Sequence, residues 1–225
     1  MPKRIALIHA TPVAMPPVVE AFRRGWTDVD TFNVLDDALS TDLARAGTLN
    51  TALKQRIAAL AAYATGIGID AILYTCSAFG EAIDAVARTA QMPVLKPNEA
   101  MFEEALRLGT SIGLLATFQP SLPSLEQEFV DMARAQGKNI ILESACAPEA
   151  MAALTAGDAD QHDRLIAEAV PRLAHCDVVM LAQFSMARAR ATVQQVIGDK
   201  VLTSPDSAVA KLKAMLNGTT KERCH

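Results

Sequence analysis

Apolar residues along this chain gather in short unbroken runs, separated by longer stretches in which Ala and Leu recur at helical spacing. Arg4-Ile5-Ala6-Leu7-Ile8 has strand length, and Pro16-Pro17 opens a helix toward Arg24, since proline is tolerated in a first turn. Thr31 to Leu35 reads as a second strand, followed by a loop through Asp36-Asp37 and a long Ala/Leu helix over residues 49–65. Ala71 to Thr75 forms a third strand, Ser77 to Ala90 begins a helix, and Met92 to Leu95 is a fourth strand ending at Lys96-Pro97. After a helix from Glu99 to Leu108 the order recurs. A strand at Ile112 to Ala116, a helix at Ser124 to Ala135, a strand at Asn139 to Leu142, a helix at Ala159 to Leu173 and strands at Val178 to Leu181 and Val201-Leu202 follow.

The recurrence is also written in the residues. Asp70 to Gly80 lines up with Asp177 to Ala187, 107 residues later, and the same ungapped shift pairs Ile5, Leu7, Phe22 and Leu35 with Ile112, Leu114, Phe129 and Leu142. Self-similarity at one fixed period reports a repeated structural unit. The expected fold class is therefore α/β, with two pseudo-symmetric lobes, each a four-stranded parallel sheet flanked by helices. Ligands of such sheets bind beyond the carboxyl ends of the strands. Two lobes facing each other would put Cys76 and Gln183, both at such ends, on opposite walls of one cleft.

Composition narrows the partners. With 51% hydrophobic but only 4% aromatic residues, the core is built from Ala, Leu, Val and Ile, which suits helices on a parallel sheet. A formal charge of −4 and a pI near 5.6 give no electrostatic reason to expect nucleic acid or an anionic membrane, so a small molecule is the expected partner. The four cysteines, at 76, 146, 176 and 224, show no C-x-x-C pair or zinc-site spacing, and imply a reducing compartment. The run after Met1-Pro2-Lys3-Arg4 is interrupted by His9 and lacks a cleavage pattern, while the most apolar window, residues 57–80, is broken by Gly66, Gly68 and Asp70. A soluble cytoplasmic protein is expected, with a polar, frayed tail from Asn217 to His225 that holds Cys224.

Cys76 is the first candidate for chemistry. It follows a buried strand and precedes a helix, a placement that aims the sulfur at a helix N-terminus and would lower its pKa, making a thiolate accessible near neutral pH.

Thr75-Cys76-Ser77-Ala78-Phe79-Gly80 after Asp70-Ala71-Ile72-Leu73-Tyr74, with Ile112-Gly113-Leu114-Leu115-Ala116-Thr117 and Leu181-Ala182-Gln183, resembles the Asp/Glu racemase superfamily across essentially the whole chain. That group includes aspartate, glutamate and hydantoin racemases, arylmalonate decarboxylase and maleate isomerase. The resemblance implies catalysis without metal or pyridoxal cofactor. In its racemases two cysteines flank the substrate carbon, one from each half. Cys76 matches the first, and Gln183 stands where the second would be. The resemblance further implies that residues 1–97 with the returning helix in 205–225 form the lobe carrying Cys76, and residues 98–204 the lobe carrying Gln183. Its members are often dimers or larger, which admits a homo-oligomer and leaves the oligomeric state open.

Gln183 has a chemical consequence. Inversion by proton exchange needs one group to remove a proton from one face and another to deliver one on the opposite face. An amide does neither at neutral pH, and Ser185 has no activating base beside it in the sequence. Chemistry that needs one thiol survives: decarboxylation of a malonate-type acid followed by protonation from Cys76, a one-base isomerisation, or thiolate attack on an activated carbon. Arylmalonate decarboxylase also retains a single cysteine, in the second half, so this chain has the mirror arrangement.

An enediolate-type intermediate needs donors already in place. Thr75, the Ser77 hydroxyl, the amides of Ser77 and Ala78, and Thr117 with Gln119 are the candidates, and the resemblance implies that Ala116-Thr117 lines a carboxylate pocket. Thr117 reads equally as a satisfied strand-end hydroxyl. Phe118 and Phe79 are either an apolar wall or core. His9, at a strand end, is either a substrate-orienting group or a hydrogen-bonded structural residue, and Thr11 is a further candidate carboxylate contact. Asp36-Asp37 has no third ligand at metal spacing, so no metal is expected there. Lys96 reads as a loop lysine, Cys146 as the mate of Leu39, and Cys176 as lying at the amino end of its strand.

Two function classes follow: a cofactor-independent enzyme acting beside the carboxylate of a small acid through Cys76, and a catalytically inactive protein that binds or senses a small carboxylate. Gly66-Ile67-Gly68 precedes a strand, whereas a phosphate-cradling loop follows one, so nucleotide binding is disfavoured. A receiver-type module would need an acid where Cys76 stands.

Overall fold

The computed structural model describes residues 2–222, with side chains through residue 218. The chain divides into two compact units, Met1–Glu99 with Ala208–His225, and Ala100–Ser207.

The first unit contains β1 (Lys3–His9), α1 (Met15–Gly25), β2 (Val29–Leu35), α2 (Leu39–Ala46), α3 (Thr51–Gly66), β3 (Ala71–Tyr74), α4 (Gly80–Thr89) and β4 (Val94–Leu95). Its four strands form one parallel sheet in the order β2-β1-β3-β4. β3 is buried at every position and β1 from Ile5 onward, the signature of strands covered on both faces. β2, at the edge, is nowhere fully buried. One core cluster packs Ile8, Ile57, Ile72, Phe79 and Ile83 together. The Asn50 side chain accepts from the Leu53 amide at 3.0 Å and starts α3.

The second unit is built from α5 (Glu99–Leu108), β5 (Ser111–Ala116), α6 (Leu122–Ala135), β6 (Ile141–Cys146), α7 (Pro148–Thr155), α8 (Ala159–Ala169), β7 (Val178–Leu181), α9 (Arg190–Ile197) and β8 (Val201–Thr203), and α10 (Ser204–Glu222) begins in it and continues in the first. Its sheet is again parallel, in the order β6-β5-β7-β8. Alternate strand residues divide between two clusters, Leu115, Val179 and Leu181 in one and Leu114, Val178 and Met180 in the other, as a period of two requires. Phe102 and Phe129 meet edge to face at 5.2 Å in the second cluster.

The internal repeat has a structural counterpart in each unit. Asp70 exchanges hydrogen bonds with Arg4, its Oδ2 accepting from the Arg4 amide at 2.9 Å, and Asp177 does the same with Ser111 at 2.9 Å. These aspartates are mates under the 107-residue shift, and so are Arg4 and Ser111. Each carboxylate fixes the amino end of its central strand pair.

The shift fails at one place. His9 is in register with Leu35 and Ala116 with Cys146, so the counterpart of Cys146 is Leu35, not Leu39. Likewise Ile5 pairs Thr31 and Ile112 pairs Leu142, so Leu142 answers to Thr31. The cause is local: α6 has 14 residues against 11 in α1, and the extra length displaces β6 from the expected Asn139–Leu142 to Ile141–Cys146. The helices α2, α7 and α9 have 8 residues each, about two turns, too short for a helical period to show in the sequence. The segment from Asn217, expected to fray, continues α10 to Glu222, whereas Cys224 and His225 lie outside the described residues. Among the described residues no helix is long and apolar enough to cross a membrane.

Candidate active site

In the first unit the carboxyl ends of β1 and β3 bring the sequence candidates together. Cys76 stands two residues beyond β3 in extended conformation, and Ser77–Phe79 then form a 3-10 turn that leads into α4. Phe79 anchors this turn in the core, which leaves Ser77 and Ala78 exposed and Cys76 half-buried. Phe79 is thus core and no pocket wall.

The Cys76 thiol differs from the sequence expectation. Burial pushes its pKa up, and the one opposing influence is a hydrogen bond from the Ala78 amide. The expected depression relied on a helix N-terminus, but α4 starts only at Gly80, so a single turn amide reaches the sulfur and desolvation wins. At neutral pH this is a protonated thiol.

His9, 1% exposed, is fully engaged. Its Nδ1 lies 2.9 Å from Thr75 Oγ1 and its Nε2 2.9 Å from Asn33 Oδ1, and Thr75 Oγ1 is also 3.3 Å from the Ile8 carbonyl oxygen. Burial lowers the His9 pKa against the opposing pull of Asn33, which favours the neutral ring: Nε2–H donates to the acceptor Asn33 Oδ1, and Nδ1 accepts the Thr75 hydroxyl proton. His9 and Thr75, both sequence candidates for substrate contact, tie the ends of β2, β1 and β3 to one another. Asn33, on an edge strand with mixed exposure, gave no sequence signal. Thr11 is half-buried and extended before the 3-10 turn Pro12–Ala14, and its side chain makes no capping bond.

In the second unit the corresponding ends are those of β5 and β7. Gln183 Oε1 accepts from the Thr117 amide at 2.9 Å and from its hydroxyl at 3.4 Å, and Gln183 Nε2 donates to Ser121 Oγ at 3.1 Å. Ser121 Oγ in turn donates to the Phe118 carbonyl at 2.7 Å. Thr117 is 1% exposed, which makes it the satisfied strand-end residue of the two readings. Ser185 is buried in the turn after Gln183. Phe118, 52% exposed, and Gln119 face solvent beside this cluster. Ser121 was missed because a serine after Gln119-Pro120 looks like any other turn residue.

The remaining candidates have structural partners. Asp36 pairs with Arg56 at 2.6 Å, and Lys96 with Asp84 at 3.2 Å. Cys176 is buried at the amino end of β7, and the Cys146 thiol is pushed up by burial.

Comparison with known proteins gives the arrangement its family. The model of the Asp/Glu/hydantoin racemases matches residues 5–212, nearly the entire chain. This chain belongs to the Asp/Glu/hydantoin racemase family. Solved racemases share its fold: the glutamate racemase of Francisella tularensis, determined with D-glutamate, superposes with a TM-score of 0.70 at 15% identity, covering 97% of this chain and 82% of its own. The aspartate racemase of Picrophilus torridus does so at 0.70 and 14% identity, covering 93% and 92%, and the allantoin racemase of Klebsiella pneumoniae at 0.65 and 15%, covering 96% and 88%. Among curated proteins no sequence matches. Identities this low carry the fold, and the chemistry has to be argued from the residues of this racemase-family chain.

Proposed function

We propose that this racemase-family chain is a cofactor-independent enzyme working at the carbon beside the carboxylate of a small acid, with Cys76 as the sole thiol that takes part in the reaction. The observation that carries the reading is the contrast between mates in the repeat. Cys76 is a protonated thiol at a strand end, whereas Gln183, its counterpart, is tied to Thr117 and Ser121. A thiol whose pKa is raised is better placed to give a proton than to take one. The step that follows is one-sided: loss of carbon dioxide leaves the bond's electron pair on carbon as a carbanion, which takes the Cys76 proton on one face, and the resulting thiolate recovers a proton from water; in proton exchange the thiolate so formed is itself the base that removes the substrate proton and returns one to the same face. The exposed Ser77 hydroxyl is positioned to bind the oxyanion of the enediolate form. The glutamate and aspartate racemases of the same fold favour a small carboxylate-bearing molecule as substrate class, and a formal charge of −4 favours such a partner over nucleic acid or membrane, in a cytoplasmic setting.

A second reading rests on the same glutamine. An amide engaged at both ends also suits a protein that binds a small carboxylate without turning it over. Incubation of α-substituted malonates and simple α-substituted acids in deuterated water separates the two. Deuterium incorporation or decarboxylation that disappears in Cys76→Ala supports the enzyme, and saturable binding without either reaction supports the binder.

A further inference from the structure

Glu143 on β6 and His175 and Cys176 in the turn before β7 bring a carboxylate, an imidazole and a thiol together, their ligand atoms all within 4.8 Å of one another. From this geometry we infer a zinc site in the second unit, formed by Glu143, His175 and Cys176 with water as the fourth ligand. Imidazole nitrogen, thiolate sulfur and carboxylate oxygen are all donors that bind Zn²⁺, and three protein ligands leave a fourth position for water.

The spacing in sequence conceals the site, because Glu143 and His175 are 32 residues apart. Packing brings them together. β6 places Glu143 in register with Gly113 of β5, and a side chain at Gly113 would stand 3.0 Å from Leu173 Cβ and 3.3 Å from Val179 Cγ2. Only a glycine lets the Leu173 segment lie this close to β5, and the two residues that follow Ala174 are the imidazole and the thiol. Lys200 holds the turn from the other side, its Nζ donating to the carbonyls of Ala174 at 2.8 Å and Cys176 at 3.2 Å. Two of the three ligands are thus fixed by backbone held in place, which is what a metal site needs before the metal arrives.

An ion would require small adjustments of these side chains. Bonds of roughly 2.0–2.3 Å at tetrahedral angles put ligand atoms about 3.3–3.8 Å apart. His175 Nε2 and Glu143 Oε1 are hydrogen-bonded at 2.8 Å, so an ion needs that contact to open by roughly half an ångström, and both side chains are exposed enough to move. Cys176 is buried and supplies the thiolate after losing its proton to solvent, where zinc replaces that proton on sulfur. Such an ion would fasten the turn before β7 to the exposed edge strand β6, at the end of the sheet opposite Gln183.

The test uses the purified full chain, stripped with a chelator and titrated with Co²⁺ and with Zn²⁺. The expected result is one equivalent of Co²⁺ giving a thiolate-to-cobalt absorption band that Zn²⁺ displaces, and a rise in melting temperature with Zn²⁺. Cys176→Ser removes the band. His175→Ala and Glu143→Gln, at exposed positions where folding is secure, weaken Zn²⁺ binding by more than the roughly 10- to 100-fold that loss of an outer partner costs. A triple variant lacking Cys76, Cys146 and Cys224 keeps the band. The inference is overturned if no equivalent binds, if the band follows Cys146 or Cys76 instead, or if His175→Ala and Glu143→Gln bind Zn²⁺ as tightly as the parent.

Discussion

The Thr117 amide donates to Gln183 Oε1 at 2.9 Å, which ties the residue beyond β5 to the second residue beyond β7. Gln183 is therefore a structural strut at the position where the repeat would otherwise carry a second thiol. Thr117 is buried, and its N–H has no water to fall back on. Gln183→Ala should destabilise the chain by about 1–3 kcal/mol, the cost of a buried donor left without an acceptor. Gln183→Glu keeps the acceptor, loses the donor to Ser121 and adds a part-buried charge that the Thr117 amide and hydroxyl help to satisfy, so it should cost less than Gln183→Ala. Urea denaturation of the three proteins checks the order, and equal midpoints would remove the strut.

Cys76 should alkylate slowly at neutral pH. Its pKa is raised above the ordinary thiol value of 9.0, so the reactive thiolate fraction is smaller in the folded chain than in the unfolded one at every pH below that value. The rate of iodoacetamide labelling at Cys76, followed by mass spectrometry, should rise with pH along a curve displaced to the alkaline side of the same thiol in urea. A curve displaced to the acid side would make Cys76 a thiolate nucleophile and would remove the argument for proton donation.

Both sheets were legible in the sequence because their central strands are buried on both faces and so read as unbroken apolar runs: Ala71 to Tyr74 and Val178 to Leu181 are strand residues in the structure. The position of Cys76 beyond β3 was equally plain. Its electrostatics were not, since the sequence cannot distinguish a helix that starts at Ser77 from a 3-10 turn that delays it to Gly80. The hydrogen-bond partners were hidden for a related reason. Asn33 and Ser121 are polar residues at polar positions, and only the register of β1 with β2 and the turn after Phe118 show what they hold. The ungapped repeat misplaced Cys146 because extra residues between Phe129 and β6 are made up again before β7, which leaves both flanks aligned.

His9 links stability to pH. Its folded pKa lies below the ordinary 6.5, so the unfolded chain binds the proton more readily. The contribution of this group is present in full above the unfolded value and is lost as the pH falls from there through the folded value. The urea midpoint of the parent should fall on going from about pH 7 to about pH 5 by more than that of His9→Gln, which has no proton to gain. Comparing the two slopes separates His9 from the carboxylates, which both proteins share. Parallel slopes would show that burial of this ring does not bear on its protonation.

Gly113 and Leu173 should behave as one unit of packing. A Cβ at residue 113 would meet Leu173 Cβ at 3.0 Å and its Cδ1 at 3.3 Å, contacts with a side chain held in the core rather than with a free end. Overpacking of this kind costs about 1–3 kcal/mol, so Gly113→Ala should lower stability by that amount although alanine suits a strand better than glycine. The first unit supports the pairing. Its mate of Gly113 is the buried Ala6, and its mate of Leu173 is Gly66, beside which a Cβ would meet nothing within 4 Å. A Cβ is thus present on the strand in the unit whose segment before β3 carries glycine, and absent from the strand in the unit whose segment before β7 carries leucine. Leu173→Ala alone opens a cavity and should cost about 2–5 kcal/mol. In the double variant the methyl introduced by Gly113→Ala takes up part of that space, so the combined loss should be smaller than the sum of the single losses by at least about 0.5 kcal/mol, the coupling expected of residues in contact. Strict additivity in a urea-denaturation cycle would show that the close approach at Gly113 is relieved by a backbone shift and that the glycine is not what brings the Leu173 turn down onto the sheet.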